Sequence, residues 1–312
     1  MPSSPRERVL ASGTEQRLSE FLRAVGALAG ARMEAVLGLT ARSESAALLS
    51  GKMLRSRLAG RLALAVAPAG RAEEIQRAAA AVELVHTASL CHDDVIDNAL
   101  LRRAQPTLWR MIGASGAVLI GDLLLCEAVG LLLEARRLPL IRAFMDRVRE
   151  VCFTEARQEL QLRGQALDVD TCLALARGKT GALFAFAAEV CGGDDTPLGE
   201  ALAEAGYCIG TAYQLGDDLL DVSGSEQAAG KTLGTDQQRS KFTLPQASAD
   251  GRRLVRHHVD RLCRQAQAAL AAWPEARMAV AEFLTEDLQP VLERFGDEED
   301  LRQPVAGQDR SL

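Results

Sequence analysis

Apolar residues recur along this chain with the period of an α-helix. Between residues 14 and 39 they fall at Leu18, Phe21, Leu22 and Val25, a spacing near 3.6 residues that predicts an amphipathic helix. Further apolar helices, separated by glycine, proline or polar residues, are predicted over 58–67, 71–98, 108–136, 140–165, 171–192 and 197–223, with two or three more before Phe295. No stretch shows the alternation of a β-strand, so the pattern predicts an all-α fold.

The same pattern predicts a single domain. No repeat or linker divides residues 15–295, whereas residues 1–14 and the acidic tail 296–312 are predicted to be disordered. Between Ser223 and Lys241 the composition changes to Gly, Ser, Gln, Lys and Thr, which predicts a mobile polar loop.

The amino-acid composition favours helices and argues against several classes of protein. Aromatic residues are 4% of the chain and alanine and leucine dominate, which favours helices over strands. A net charge of −6 without a basic run argues against a nucleic-acid-binding surface. Seven cysteines without a CxxC pair predict neither disulfides nor a zinc site and indicate a reducing, cytoplasmic location. No secretory signal is recognisable, and because the apolar stretch 117–133 contains Asp122 and Glu127, no transmembrane segment is expected.

The stretch DDVID carries the first candidate chemistry. On a helix Asp93 and Asp97 lie on one face, one turn apart, with Asp94 beside them. Carboxylates at this spacing repel, and a hard divalent cation such as Mg²⁺ resolves the repulsion. Arg102 and Arg103 follow, and their planar guanidinium groups suit phosphate oxygens.

A second acidic motif raises this hypothesis above the simpler one, a solvated helix end with scattered charges. Downstream, YQLGDDLLD places Asp217, Asp218 and Asp221 at the same spacing in an apolar helical context. Two such motifs are predicted to form two walls of one metal site.

Two further cationic stretches are candidates for anion binding. Lys52 and Arg55 follow Gly51 at a predicted helix start, where they either extend into solvent or hold an anion beside free backbone N–H groups. Lys179 and Lys231 each stand in a GKT sequence, but both lack the earlier glycine and the preceding strand of a P-loop. These lysines could still contact a diphosphate held by metal.

Taken together, these motifs resemble the trans-isoprenyl diphosphate synthases, the polyprenyl synthetase family, from Gly51 to Pro245. In family order the chain has GKMLR, DDxxD with RR and PT, Gly121-Asp122, Lys179-Thr180, YQLGDDLLD, GKTLGTD and KFTLP. The resemblance implies an isoprenoid synthase-like helical bundle around a central cavity, usually homodimeric. It also implies head-to-tail condensation of isopentenyl diphosphate with an allylic diphosphate, using three Mg²⁺ ions.

The resemblance also implies a role for each matching residue. The implied metal ligands are Asp93, Asp97 and Asp217, supported by Asp94, Asp218 and Asp221. The implied allylic diphosphate contacts are Arg102, Lys179, Gln214 and Lys231, and the isopentenyl diphosphate contacts are Lys52, Arg55, His86 and Arg103. Thr180 and Lys241 are further substrate contacts, and Lys179 and Lys231 join the metal ligands as catalytic residues.

The chain departs from the family pattern at three positions. Ala104, Ser56 and Thr154 replace the family's usual Gly, Pro and Gly.

Three other functions are compared with the prenyltransferase. They are a class I terpene cyclase, a non-catalytic subunit of a partner synthase, and a phosphohydrolase. The phosphohydrolase would lack suitable histidine ligands, since His257 and His258 are predicted to lie at the surface.

Product length depends on the helix turn before Asp93. Ala88 and Ser89 are predicted to line the path of the growing chain. Because short-chain members of the family typically carry an aromatic residue there, two small residues favour products of C20 or longer.

Overall fold

The computed structural model describes residues 5–40, 51–102, 105–223, 242–247 and 250–293. Eleven α-helices account for most of this part of the chain, in agreement with the predicted all-α class. They are α1 Pro5–Leu37, α2 Leu54–Val66, α3 Ala72–Ile96, α4 Leu108–Glu134, α5 Leu138–Arg157, α6 Val169–Ala176, α7 Ala182–Glu189, α8 Thr196–Ser223, α9 Gly251–Ala269, α10 Pro274–Glu282 and α11 Gln289–Leu292.

Several predicted boundaries were wrong. Helix α1 begins at Pro5, earlier than the predicted start at residue 14, and α2 begins at Leu54 rather than at residue 58. The predicted helices 140–165 and 171–192 contain π-helical turns at Gln158–Leu162 and Arg177–Gly181. A third π-helical segment, Phe283–Leu288, joins α10 to α11.

A minimal antiparallel hairpin was not predicted. Strands β1, Leu101–Arg102, and β2, Gln105–Pro106, pair Leu101 with Pro106 and Arg102 with Gln105. Two residues are too few to show an alternating pattern, so sequence periodicity could not reveal them.

The bundle is built on three close helix pairs, α3 with α4, α7 with α8, and α8 with α9. Small residues allow the backbones to approach: Ala78 to Val82 of α3 are all buried. A Cβ atom added at Gly206 of α8 would lie 2.5 Å from the Phe184 carbonyl oxygen, and one at Gly210 would lie 2.7 Å from the Gly181 Cα. The α7–α8 contact therefore depends on glycine, and it fixes where the π-helical turn before α7 lies relative to α8.

Two other predictions can be checked here. All seven cysteines are free, as predicted. The prediction that His258 lies at the surface was wrong: His258 is buried in α9, whereas His257 is exposed. The predicted loop between Ser223 and Lys241 and the tail 296–312 lie outside the described residues.

Helix α4 is long and apolar enough, by length and composition, to cross a membrane. Helix α4 nevertheless packs along α3 as a member of the bundle, and 39% of its most apolar window is buried. Length and apolar composition of one such helix are weak evidence for a membrane span.

Candidate active site

The first acidic motif lies where α3 ends. Asp97 caps the helix, and its backbone N–H donates to the Asp93 carbonyl oxygen. Asn98 follows with φ of 50°, a left-handed conformation that asparagine tolerates better than most residues. The chain reverses there and enters the small hairpin, which brings Arg102 back to the end of α3.

Arg102 forms a salt bridge with Asp94. Its Nε and Nη2 atoms donate to Asp94 Oδ1 at 2.9 and 2.7 Å, and Nε also lies 3.2 Å from Oδ2. The Asp94 side chain is 4% exposed. Burial raises the pKa of Asp94, and the hydrogen bonds and charge of Arg102 oppose that shift. Asp94 is thus turned inward as an anchor for Arg102, whereas Asp93 and Asp97 are partly exposed.

The two acidic motifs meet around Arg102. Burial lowers the pKa of this guanidinium, but the hydrogen bonds and charge of Asp94, followed by the charges of Asp93 and Asp217, outweigh burial and raise it. Asp93 belongs to α3 and Asp217 to α8, so carboxylates from helices far apart in sequence act on one side chain. Both acidic motifs therefore lie within electrostatic reach of one guanidinium.

These carboxylates fit Mg²⁺ by the chemistry of their donor atoms. Oxygen ligands from two helices suit a hard cation that keeps several waters and completes its shell with substrate phosphates. Within the described ranges, no group of three or more His, Cys, Asp or Glu residues is placed so that it could hold a metal ion by itself. A partial set of ligands is what Mg²⁺ requires when a diphosphate supplies the rest.

The π-helical turn Arg177–Gly181 presents Lys179 and Thr180 to α8. The Thr180 hydroxyl donates to Gln214 Oε1, and Gln214 Nε2 donates to Asp218 Oδ1 at 2.7 Å. Lys179 Nζ lies 2.7 Å from Glu155 Oε1 of α5. The side chains of Lys179, Gln214 and Asp218 line a small open cleft. Four predicted residues therefore lie together: three line the cleft, and the buried Thr180 is hydrogen-bonded to one of them.

The local sequence explains this turn. A Cβ atom added at Gly178 would lie 2.3 Å from Thr154 Oγ1, and one at Gly181 would lie 3.1 Å from the Tyr207 ring. Glycine at both positions lets α5 and α8 approach the turn closely. π-Helical turns of this kind occur frequently at functional sites because they reorient side chains within a helix.

A second group of cations lies at the start of α2. Met53, with φ of 49°, precedes the helix, and Lys52 beside it is exposed. Arg55 is buried, and its guanidinium carbon lies 5.0 Å from the centre of the Phe184 ring. Burial lowers the pKa of Arg55, and the charge of Glu83 opposes that shift. The simple alternative of a solvated cation therefore fails for Arg55.

The remaining predicted residues fall into two groups. His86 is partly exposed on α3, as is Ser89, whose hydroxyl donates to the His86 carbonyl oxygen; Ala88 is fully buried, and Asp221 of α8 is partly exposed. Lys231, Lys241, Arg103 and Ala104 lie outside the described residues.

Sequence reasoning missed two acidic residues that contact the candidate site. Glu155 pairs with Lys179, and Glu83 accepts a hydrogen bond from Ser56 at 2.6 Å. Glu83 is a charge within the apolar run AAAAVELV, and a charge on a buried helix face could have identified it. Nothing in the spacing of Glu155 distinguishes it from an ordinary surface carboxylate.

Comparisons with known proteins support the resemblance seen in the sequence. A family model described as Polyprenyl synthetase matches residues 39–270. The chain is 37% identical over 209 residues to a geranylgeranyl diphosphate synthase of Mycobacterium tuberculosis, covering 64% of this chain and 59% of that protein. It is 32% identical over 198 residues to the octaprenyl diphosphate synthase of Escherichia coli, covering 62% of this chain and 61% of that protein. The chain spans less than two thirds of the length of these relatives.

Solved structures show the same fold. A polyprenyl synthase from Caulobacter crescentus, complexed with calcium and isoprenyl diphosphate, superposes with a TM-score of 0.72 at 29% identity, covering 86% of this chain and 96% of that one. A decaprenyl diphosphate synthase from Rhodobacter capsulatus gives a TM-score of 0.71 at 26% identity, covering 92% and 99%. Both neighbours match nearly their whole length.

Proposed function

Because the chain belongs to the polyprenyl synthetase family, we propose that it is a Mg²⁺-dependent trans-prenyltransferase. It would condense isopentenyl diphosphate head-to-tail with an allylic diphosphate to give a trans-polyprenyl diphosphate. The observation that carries this proposal is that carboxylates of both acidic motifs, Asp93, Asp94 and Asp217, act on Arg102.

The proposed function divides the work between two groups of residues. Arg102, Lys179 and Gln214 would orient the allylic diphosphate with Lys231. Lys52, which precedes α2, Arg55 of α2 and His86 of α3 would hold isopentenyl diphosphate with Arg103. Thr180, through its bond to Gln214, and Lys241 complete the substrate contacts.

Asp93, Asp97 and Asp217 would hold the metal ions, and Asp218 and Asp221 lie close enough along α8 to support them. Bound Mg²⁺, three ions by resemblance to the family, would neutralise the diphosphate and make it a better leaving group. Arg102 and Lys179 stabilise the charge that develops as the carbon–oxygen bond breaks. The double bond of isopentenyl diphosphate then attacks the allylic cation, and the departing diphosphate accepts the proton.

This division distinguishes the alternatives. A class I terpene cyclase needs the acidic walls for one substrate and has no use for the second group at Lys52 and Arg55. A non-catalytic subunit could lose its acidic residues, and this chain retains all six.

We also propose that the protein is a cytoplasmic homodimer that associates through α4 and α5. Large apolar side chains stay exposed along both helices: Val118, Leu119, Leu123, Leu133, Leu138, Met145 and Phe153. Isolated chains rarely expose so many large apolar residues on adjacent helices. Helix α4 contacts α5, and a second copy of the chain would bury these side chains. Sedimentation equilibrium should give a dimer, and Leu119→Glu should give monomers.

The substrate and product are tested together. Purified protein should be incubated with farnesyl diphosphate, excess labelled isopentenyl diphosphate and Mg²⁺, followed by chain-length analysis. We expect products of C20 or longer, no product from Asp217→Asn, and normal product from the control Asp260→Asn, which changes an exposed carboxylate on α9. Near-normal turnover by Asp217→Asn would refute the two-wall site, and termination at C15 would refute the long product. A cyclised hydrocarbon without consumption of isopentenyl diphosphate would identify a terpene cyclase.

A further inference from the structure

Arg55 is charged and buried, yet incompletely hydrogen-bonded. It is 8% exposed, and its Nε atom has no hydrogen-bond partner in the part of the chain that the structure describes. Burial of an unpaired donor on a charged group costs free energy, so such a group is expected to have a ligand or a functional reason. The face of the Phe184 ring compensates for part of this cost by a cation–π contact.

Glu83 supplies the carboxylate charge that acts on Arg55. It lies on α3, one turn before His86, and is 9% exposed. The Ser56 hydroxyl, next to Arg55 on α2, donates to Glu83 Oε1 at 2.6 Å. No direct salt bridge joins Glu83 to Arg55 among the described residues, so the carboxylate neutralises the guanidinium from a distance while Ser56 holds it in place.

We propose that Glu83, held by Ser56, is a positioning residue that keeps Arg55 directed into the pocket for isopentenyl diphosphate. This inference rests on the proposed function. A bidentate pair between Glu83 and Arg55 would occupy the donors that an incoming diphosphate needs. Removing the charge of Glu83 altogether would leave the buried guanidinium without compensation, and it would turn towards solvent. The hydrogen bond from Ser56 keeps the Glu83 carboxylate near Arg55, where it compensates the positive charge without occupying the guanidinium donors.

The test compares steady-state constants for the two substrates. Glu83→Gln keeps the shape and the Ser56 hydrogen bond but removes the charge. We expect it to raise the KM for isopentenyl diphosphate about tenfold, the factor equivalent to about 1.4 kcal/mol, while the KM for the allylic diphosphate stays within about twofold. Ser56→Ala should raise the same KM about threefold, because the freed carboxylate can then pair with Arg55.

The matched control is Glu74→Gln. Glu74 also lies on α3, is partly buried and pairs with two arginines, Arg71 and Arg137, away from the site. A purely structural role for Glu83 would make Glu83→Gln resemble this control, with a lower melting temperature and no selective rise in one KM. Such a result, or a wild-type KM in Ser56→Ala, would overturn the inference.

Arg55→Ala separates this inference from the proposed function. If Arg55→Ala leaves the KM for isopentenyl diphosphate unchanged, the assignment of the pocket is wrong. If Arg55→Ala raises that KM and Glu83→Gln does not, the pocket stands and the positioning role fails. In the Arg55→Ala background, Glu83→Gln should add no further increase, because its effect acts through Arg55.

Discussion

The salt bridge between Asp94 and Arg102 predicts different roles for two neighbouring carboxylates. Asp94→Asn removes one negative charge with little change in shape. The pair has hydrogen bonds of 2.7 and 2.9 Å, with side chains 4% and 28% exposed. A charge-assisted bidentate pair of this partial burial contributes roughly 2 kcal/mol. Losing it should lower kcat/KM for the allylic diphosphate about 30-fold, since 1.36 kcal/mol corresponds to a factor of ten.

The assay measures kcat/KM over a series of Mg²⁺ concentrations for Asp94→Asn and Asp93→Asn. Asp93 faces the open side of α3 and is a predicted ligand, so Asp93→Asn should raise the Mg²⁺ concentration needed for half-maximal rate. Asp94→Asn should reduce kcat/KM at every Mg²⁺ concentration without shifting that midpoint. An equal shift in both variants would show that Asp94 is a ligand and would refute the anchoring role. A rate within twofold of wild type would show that Arg102 needs no anchor.

Three further changes test other parts of the fold. Asp287→Ala removes the carboxylate that lies 2.5 Å from Arg61 Nε, and both side chains are only 4% exposed. We expect the free energy of unfolding, measured by urea denaturation, to fall by about 3–5 kcal/mol. A loss below about 1 kcal/mol would contradict a buried ion pair. Ser89→Phe should shorten the products. Ala88 has no accessible surface, so Ala88→Phe should chiefly lower the melting temperature. Unchanged products in Ser89→Phe would mean that the side chain at position 89 does not face the growing chain. Met53→Gly relieves a left-handed conformation and should raise the free energy of unfolding by about 0.5–1 kcal/mol, with no increase if that conformation is unstrained.

Periodicity and motif spacing predicted the parts of this molecule that depend on short-range order. The 3.6-residue pattern identifies the helices because burial of one face is repeated along each of them. The spacing of Asp93 and Asp97 places both on one turn regardless of the rest of the fold. The two-wall metal site stays a prediction, supported by the charges of Asp93 and Asp217 that act on one guanidinium.

Long-range contacts could not be predicted from the same signals. The inward turn of Asp94 depends on the hairpin that returns Arg102, and two-residue strands leave no periodic pattern. The burial of Arg55 depends on Phe184, a residue of α7 that no local rule places over α2. The π-helical turn that presents Lys179 follows from contacts with Thr154 and Tyr207 on other helices.

Because the two acidic motifs lie on α3 and α8, the order in which the chain is synthesised affects its folding. Asp93 and Asp217 are more than a hundred residues apart, so the proposed metal site of a nascent chain cannot be complete until α8 has been synthesised and has docked on α7. Early folding must therefore rely on contacts other than those to bound metal. Once the walls have met, a ligand that bridges them links the first third of the chain to the last third. Mass action then stabilises the whole bundle rather than one region, and protease resistance would rise globally with bound diphosphate and Mg²⁺.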